Sequence, residues 1–290
     1  MQKHSSLLSV AIIGPGRVGQ ALGRLLAESG VPIACIVGRK ADATRRASRF
    51  IGQGKPVGVA DPDLMNASVL LLTTTDTALE GVARELAGRG DGKRAWQGKV
   101  VLHTCGSLPS AILRPLQLRG AAIGSLHPYQ TIPSPRTGAR NLRGGFWGIE
   151  GDRRAVQVAR RWVKLLKGTA FAVDPKKKPL YHLSAFLVCP TLVTLMDQST
   201  RVLGQAGVPE RISRPMLRRF VTETAENFSE MGARALTGPA VRGDWKVIRA
   251  HMSALRQAAP GFLPVYRSLL TAMLRLTGRK APRWLAAGAR

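Results

Sequence analysis

Three side chains that can hold or transfer protons occur close together in the second half of the chain. Lys178, Tyr181 and His182 are spaced at i, i+3 and i+4, so a helix would place them on one face. An ammonium, a phenol and an imidazole in one place could polarise a carbonyl or imine and relay a proton to it. An ordinary first turn of a helix with a solvated lysine explains the same spacing.

Two other segments carry side chains that could contact a substrate. His127 follows an apolar run, where its imidazole could donate a proton or bind substrate; a histidine that stabilises a local turn explains the position as well. The segment 235–244 separates two helical stretches, and its Thr237 and Arg242 could bind a substrate, with Arg242 as a clamp for an anion. A purely structural turn, in which Asp244 caps the next helix, is the alternative.

A glycine-rich turn near the start of the chain is typical of dinucleotide binding. Directly after the apolar run 7–13, the motif consists of Gly14, Pro15, Gly16, Arg17, Val18 and Gly19. Gly14 permits a tight turn, Gly16 lets the backbone approach a pyrophosphate, and Gly19 lets the following helix pack on the strand. The free N–H groups at the start of that helix would face the phosphates. A tight turn that binds no ligand is the alternative.

The end of the second apolar run distinguishes between the two nicotinamide cofactors. Proteins that bind NAD usually place a carboxylate about 20 residues after the glycine motif, where it holds the ribose hydroxyls. This chain has Arg39 and Lys40 there instead. A guanidinium can bind a 2′-phosphate through two hydrogen bonds, so NADP is favoured over NAD. Alternatively, Arg39 and Lys40 are only two more positive charges in a very basic chain and bind no ligand.

The binding crevice of an open parallel sheet lies beyond the carboxyl ends of its strands. That rule selects the segments 73–76 and 104–107, which follow two apolar runs. Their small polar residues, Thr74 and Ser107 among them, could lie beside the ribose and the nicotinamide without steric conflict.

The distribution of apolar residues predicts an α/β fold followed by an all-α domain. Strands are expected at 7–13, 31–37, 57–59, 69–73, 100–104, 121–126, 146–150 and 169–173, in a parallel sheet. Helices between them include 77–87, 110–118 and 153–166, and only helices are expected later, at 180–206, 211–236, 244–258 and 262–276. The predicted domains are 1–175, which would bind the dinucleotide, and 176–290, with 277–290 as a mobile tail.

The composition limits the possible partners. A net charge of +27 in 290 residues would attract anions, so an anionic substrate is expected. The charge is spread along the chain, and aromatic residues make up only 5%, which argues against nucleic-acid binding. The three cysteines lack any spacing suited to a metal site and indicate a reducing compartment. The apolar stretch 185–196 is too short to cross a membrane and contains Pro190, so a cytoplasmic protein is expected.

Taken together, several of these motifs resemble one bacterial family. They are the glycine turn, the segments 124–128 and 181–182, and the segment 236–244 with Val247 and His251 after it. The chain is similar to Rossmann-like proteins whose C-terminal half is domain of unknown function 2520. That family is similar to pyrroline-5-carboxylate reductase, ketopantoate reductase and the 6-phosphogluconate and 3-hydroxyacid dehydrogenases.

The resemblance implies a Rossmann-type NAD(P)-binding domain, a helical domain that builds a homodimer, and a hydride-transfer reaction. It also implies a proton-donating lysine at Lys178. The related dehydrogenases have Asn three or four residues later, where this chain has Tyr181 and His182, and Cys189 and Pro190 stand where Ser-Asn is expected. The predicted function is an NADP-dependent oxidoreductase acting on a small carbonyl, imine or hydroxy compound. A non-catalytic NADP-binding sensor or scaffold protein is the alternative.

The assignment of NADP can be tested at Arg39. Because only NADPH carries the 2′-phosphate, Arg39→Asp should weaken NADPH binding much more than NADH binding. Fluorescence titration of the variant with each cofactor measures the two losses. Equal losses for both cofactors would contradict the assignment.

Overall fold

The computed structural model describes residues 8–90 and 94–286, which fall into two compact units. The first unit ends at Cys189 and the second begins at Pro190. This division lies inside a long helix, α7 (Lys178–Gln205), whereas the predicted domain boundary lies just before it. Leu7, the first residue of the predicted first strand, is outside the described residues.

The described part of the first unit contains one eight-stranded sheet. Its strands are β1 (Val10–Ile13), β2 (Ile33–Val37), β3 (Lys55–Val57), β4 (Val69–Leu72), β5 (Val100–His103), β6 (Ala122–Pro128), β7 (Phe146–Gly151) and β8 (Thr169–Ala172). A strand occurs at each of the eight predicted places, although β3 is displaced and shares only Val57 with the predicted 57–59. The strand order is β3-β2-β1-β4-β5-β6-β7-β8, so the order along the chain reverses between β1 and β4.

The sheet is not wholly parallel as predicted. Strands β1 to β6 are parallel, but β7 pairs antiparallel with β6, and β8 then runs parallel to β7. An antiparallel pair does not require a crossover, and residues 129–145, which include the helix Pro135–Leu142, connect the two strands here. As a result, Gly148 lies opposite His127, and Glu150 lies opposite Ser125.

Helices cover both faces of this sheet. They are α1 (Arg17–Glu28), α2 (Ala41–Ile51), α3 (Asp76–Ala87), α4 (Arg114–Gln117), α5 (Pro135–Leu142) and α6 (Arg153–Leu165). Alternate residues of β1 face opposite sides: Val10 and Ile12 join a core with α1, α2 and α6, and Ala11 and Ile13 join another with α3 and α4. The helix predicted at 110–118 is a 3₁₀ turn (Ser110–Leu113) followed by α4.

The described part of the second unit is helical, as predicted. After α7 come α8 (Glu210–Met231), α9 (Pro239–Arg242), α10 (Trp245–Ala258), α11 (Leu263–Leu276) and α12 (Arg283–Ala286). A small core joins Ile248, Met252, Leu270 and Leu274. The prediction of a mobile tail from residue 277 was wrong for part of that segment, because Leu285 on α12 is buried in this core. Residues 287–290 of the predicted tail lie outside the described part.

The long helix α7 is unusual in its exposure. Lys178 is its one buried residue in the structure. The helical stretch Pro175–Gln205 is long and apolar enough to cross a membrane by length and composition, and its apolar window is not buried in this chain. This helical stretch is longer than the apolar segment 185–196, which by its own length was too short to cross a membrane. Five of its exposed apolar side chains are Leu180, Leu183, Leu187, Val188 and Val193.

A pair of glycine variants tests the close packing of α1. A Cβ at Gly19 would lie 2.3 Å from Thr73 Oγ1, so Gly19→Ala should lower the free energy of unfolding by about 1–3 kcal/mol. Gly81 is an exposed position within α3 with open space around it, and Gly81→Ala should raise the same quantity by about 0.5–1 kcal/mol. Urea unfolding measures both variants, and the prediction fails if their effects have the same sign.

Candidate active site

The glycine turn has the geometry expected of a phosphate-binding loop. Gly14 has a φ of 81°, and a Cβ there would lie 2.6 Å from Thr74 Cγ2. Thr73 Oγ1 donates a hydrogen bond to the Gly14 carbonyl oxygen at 2.7 Å and so ties the turn to the end of β4. A Cβ at Gly16 would have only the Gly14 carbonyl oxygen near it, at 3.9 Å. The space beside Gly16 is therefore open to a ligand that approaches the backbone.

The other residues of the motif support this loop. Gln20 Nε2 donates to the Pro15 carbonyl oxygen at 2.8 Å, which fixes the turn. Arg17 and Val18 begin α1, whose N-cap residue Gly16 makes no side-chain hydrogen bond to the helix. The N–H groups of this first turn can therefore bind phosphate oxygens.

The basic pair at the end of β2 is exposed next to this loop. Arg39 and Lys40 precede α2 and are open to solvent. The Gly38 backbone packs against Pro15 and Thr44, and Thr44 Oγ1 donates to the Lys40 carbonyl oxygen at 2.9 Å. The backbone that carries both charges is thus held against the glycine turn, as a site for a 2′-phosphate requires.

Two small polar residues lie where the sequence predicted them, beyond β4 and β5. Thr74 Oγ1 is buried and has no hydrogen-bond partner within the described structure, so it is available to a ligand hydroxyl. Ser107 Oγ donates to Asp76 Oδ2 at 3.0 Å and lies 3.2 Å from Cys105 Sγ. Both positions fit the nucleoside end of a dinucleotide that starts at the glycine turn.

Lys178 is buried, whereas a residue that donates a proton to a substrate has to be accessible to it. Its side chain is buried, and Nζ donates to Ser125 Oγ at 2.5 Å and to the Cys105 carbonyl oxygen at 3.1 Å. It also pairs with Glu150 Oε1 at 3.4 Å. Burial lowers the pKa of Lys178, and Glu150 acts in the opposite direction. The three donors of the ammonium are thus directed to protein acceptors, which revises the proposed role of Lys178 from proton donor to anchor.

Glu150 is the residue of this network that the sequence analysis missed. Besides Lys178, its carboxylate accepts hydrogen bonds from Ser110 N and Ser110 Oγ, both at 2.7 Å. The available signal was an acidic residue within the otherwise apolar strand β7, since a buried carboxylate needs partners.

His127 and Tyr181 lie next to this network and are both partly buried. His127 Nδ1 lies 2.8 Å from Tyr181 Oη, and the rings meet edge to face at 5.4 Å. Burial, helped by the positive charge of Lys178, lowers the pKa of His127 to about 3, so its imidazole is neutral at pH 7. Burial raises the pKa of Tyr181, which keeps the phenol protonated. In the tautomer whose Nδ1–H donates to Tyr181 Oη, the neutral imidazole leaves the phenolic proton free for a ligand.

His182 packs at the edge of this pair. Its ring centroid is 6.1 Å from that of His127, and both rings pack against Gly106, where a Cβ would come within 2.8 Å of each. Tyr129 lies 5.5 Å from the Tyr181 ring, and its hydroxyl is 3.0 Å from Ser184 Oγ. The structure thus brings His127, which the sequence placed on a separate segment, next to Tyr181 and His182 of the predicted helix face.

The two predicted substrate-binding residues of the later segment belong to the second unit. Thr237 is exposed. Arg242 Nε donates to Asp244 Oδ2 at 2.9 Å, so this guanidinium already has a carboxylate partner. Asp244 occupies the N-cap position of α10 but makes no side-chain capping bond, because its carboxylate binds Arg242 instead. The capping expectation was therefore wrong.

No group of three or more metal-binding side chains (His, Cys, Asp or Glu) suited to a metal ion occurs in the described part of the chain. The described cysteines are all free.

Comparison with known proteins identifies both parts of the chain. Residues 2–128 match the Rossmann-like domain, and residues 145–273 match DUF2520, a domain of unknown function. No curated protein sequence matches the chain. Among solved structures, one of a Bacteroides fragilis protein assigned as an NADP oxidoreductase superposes with a TM-score of 0.74 at 19% identity, covering 94% of this chain and 99% of that one.

Two further structures are similar over most of their length. A reductive aminase from Aspergillus terreus, in complex with NADPH and ethyl-5-oxohexanoate, has a TM-score of 0.69 at 16% identity, covering 98% of this chain and all (100%) of that one. A pyrroline-5-carboxylate reductase from Coxiella burnetii has a TM-score of 0.58 at 15% identity, covering 94% and 99%. At these identities the similarity establishes the fold.

The sheet order, the glycine turn and the helices after it define the dinucleotide-binding class of α/β fold. The chain thus joins a Rossmann-like domain, matched over residues 2–128, to a DUF2520 domain, matched over residues 145–273.

The buried histidines predict how stability depends on pH. Burial lowers the pKa of His127 and of His103 from 6.5 to about 3. Below pH 6.5 the unfolded chain binds a proton at each, whereas the folded protein does not until about pH 3. The contribution of the two histidines to the free energy of unfolding is therefore fully present above pH 6.5 and is lost as the pH is lowered towards 3. At pH 5.5 the expected loss is about 1.4 kcal/mol per histidine.

Urea unfolding at pH 7.5 and 5.5 measures this loss. In His127→Asn the difference between the two pH values should shrink by about 1 kcal/mol, whatever the stability of the variant at pH 7.5. An unchanged difference would show that His127 is not held neutral by the fold.

Proposed function

We propose that this protein is an NADP-dependent oxidoreductase, which transfers hydride between NADP(H) and a small carbonyl, imine or hydroxy compound. The observation that carries the proposal is that one sheet edge holds both an open phosphate loop with a basic pair and a His127–Tyr181 proton donor. The fold similarity to a reductive aminase in complex with NADPH supports it.

The residues of the first unit fit the cofactor. Gly14, Gly16 and Gly19 form the turn that would hold the pyrophosphate, and Arg39 with Lys40 would bind the 2′-phosphate. The unpartnered hydroxyl of Thr74, together with Ser107, would contact the ribose and nicotinamide. Bound NADPH supplies a hydride from its nicotinamide ring.

Tyr181 is the proton donor in this proposal. As the substrate carbon is reduced, the attached oxygen or nitrogen takes up the phenolic proton. His127 fixes the direction of the Tyr181 hydroxyl through the 2.8 Å contact, and its low pKa keeps it a neutral partner at pH 7. Lys178 contributes by positioning, since it anchors the first turn of α7 one turn before Tyr181.

A second copy of this chain is the partner that we propose for α7. A helix that is apolar on all sides is normally buried, yet α7 has one buried residue in the structure. Its second half carries Asp197 and Arg201, which form a salt bridge at 2.8 Å and suit a protein surface better than lipid. We therefore propose a homodimer rather than a membrane-spanning protein, in the cytoplasm, where the free cysteines would stay reduced.

The proposal is tested by binding and then by turnover. Titration with NADPH and NADH at physiological salt should give micromolar binding of NADPH that is clearly tighter than that of NADH. Oxidation of NADPH is then followed with a panel of small ketones, imines and keto acids. Tight NADPH binding without oxidation in the whole panel would favour the sensor or scaffold alternative, and no binding of either cofactor would overturn the proposal.

The role of Tyr181 can be tested with a matched pair of variants. Tyr181→Phe removes the donated proton and should lower kcat by about 100-fold with the most active substrate, while NADPH binding stays within about twofold. Tyr129→Phe removes a neighbouring hydroxyl that contacts Ser184 instead, and it should change kcat by less than about threefold. Equal kcat losses in the two variants would contradict the assignment.

A further inference from the structure

Asp76 places an exposed carboxylate beyond the ends of β4 and β5. Asp76 is the first residue of α3, beyond the end of β4, and it is exposed. Its Oδ2 accepts a hydrogen bond from Ser107 Oγ at 3.0 Å. This contact connects the ends of β4 and β5 and fixes the direction of the carboxylate.

Continuous contacts link Asp76 to the proton donor. Ser107 follows Gly106, and a Cβ at Gly106 would lie 2.6 Å from His127 Nε2. His127 in turn holds the Tyr181 hydroxyl. Burial lowers the pKa values of His127 and Lys178, and the negative charge of Asp76 acts in the opposite direction on both, as expected for groups near one another.

The positive charge of this region is already neutralised. Lys178 is buried against Glu150, so this ion pair has no net charge. Burial lowers the pKa of His127 to about 3, which makes it neutral at pH 7. Along the described contacts from Asp76 through Ser107, His127 and Tyr181 to Lys178, the carboxylate of Asp76 is the one exposed charge.

An anionic substrate at Tyr181 would therefore meet a carboxylate and no free cation within this set of residues. A substrate that carries or develops a positive charge would find its counter-charge. Of the three substrate types in the proposed function, only an imine is basic enough to be protonated to a cation near neutral pH before it is reduced.

Resting on the proposed function, we infer that the substrate is an imine that reacts as its iminium cation, and that Asp76 is the residue that selects for it. Tyr181 gives its proton to the imine nitrogen, and the carboxylate of Asp76 stabilises the resulting cation. The iminium carbon then accepts a hydride from NADPH while the C=N electron pair moves to nitrogen, leaving a neutral amine and NADP⁺. Tyr181 regains its proton from water. This assignment reverses the sign expected from the net charge and Arg242.

The test measures binding, so it does not depend on turnover. Protein loaded with NADPH is titrated by calorimetry with three five-membered ring probes: pyrrolidine as its hydrochloride, neutral cyclopentanone and sodium cyclopentanecarboxylate. The wild-type protein should bind the pyrrolidinium cation most tightly. Asp76→Asn keeps the size of the side chain and its contact with Ser107 but removes the charge, and it should weaken pyrrolidinium binding about tenfold with NADPH binding within about twofold.

Two further variants complete the design. Glu80→Gln removes a charge one turn along α3, where Glu80 pairs with Arg84, and it should leave the binding of all three probes unchanged. Asp76→Glu keeps the charge and should retain most of the preference for the cation, which also covers the case in which Asp76→Asn does not fold.

Several results would overturn the inference. They are tighter binding of cyclopentanecarboxylate than of pyrrolidinium by the wild-type protein, no pyrrolidinium binding, and unchanged pyrrolidinium binding in Asp76→Asn. An equal loss of NADPH and pyrrolidinium binding in that variant would also overturn it, because Asp76 would then serve the cofactor. Failure of the proposed function would give a different result. Either NADPH would not bind, or NADPH would not be oxidised although the protein binds pyrrolidinium more tightly than the other two probes.

Discussion

A lysine ammonium can be buried only when a counter-charge and hydrogen-bond acceptors surround it, and Lys178 meets both conditions. Its acceptors belong to three adjacent strands of the sheet: Cys105 follows β5, Ser125 lies on β6, and Glu150 lies on β7. The network therefore connects the first turn of α7 to strands β5, β6 and β7. Removal of either charge would leave the other one buried alone, at a cost of about 3–5 kcal/mol.

The position of Tyr181, the proposed proton donor, depends on this anchor and on two glycines. Tyr181 is one turn after Lys178, so its phenol reaches the end of β6 beside His127. A Cβ at Gly148, the residue opposite His127 in β7, would lie 2.6 Å from Tyr181 Oη, and a Cβ at Gly106 would be equally close to His127. Both positions have to remain without a side chain for the His127–Tyr181 contact to form. The reversed direction of β7 thus serves the site directly, because it brings Gly148 and Glu150 next to β6.

Charge has different effects at the two ends of this site. At the end with the glycine turn, the exposed basic residues Arg39 and Lys40 match the general positive charge of the chain. Near Tyr181 the balance is opposite, because the positive charge of Lys178 is neutralised by Glu150 and Asp76 is exposed. A net charge of +27 therefore says little about the site itself, since electrostatic interactions are decided by the few groups within several ångströms.

The sequence by itself determined the glycine turn, the presence of eight strands and the four long helices of the C-terminal part, because these depend on local sequence: runs of apolar residues in buried strands, a period near 3.6 in helices, and glycines at a turn. It did not reveal α2 and α5, which are short and mostly polar. Only the tertiary structure decided that β7 reverses, that Lys178 pairs with Glu150 over 28 residues, and that His127 meets Tyr181 over 54. Such pairs depend on strand order and register, which bring distant residues together and have no signature in local spacing.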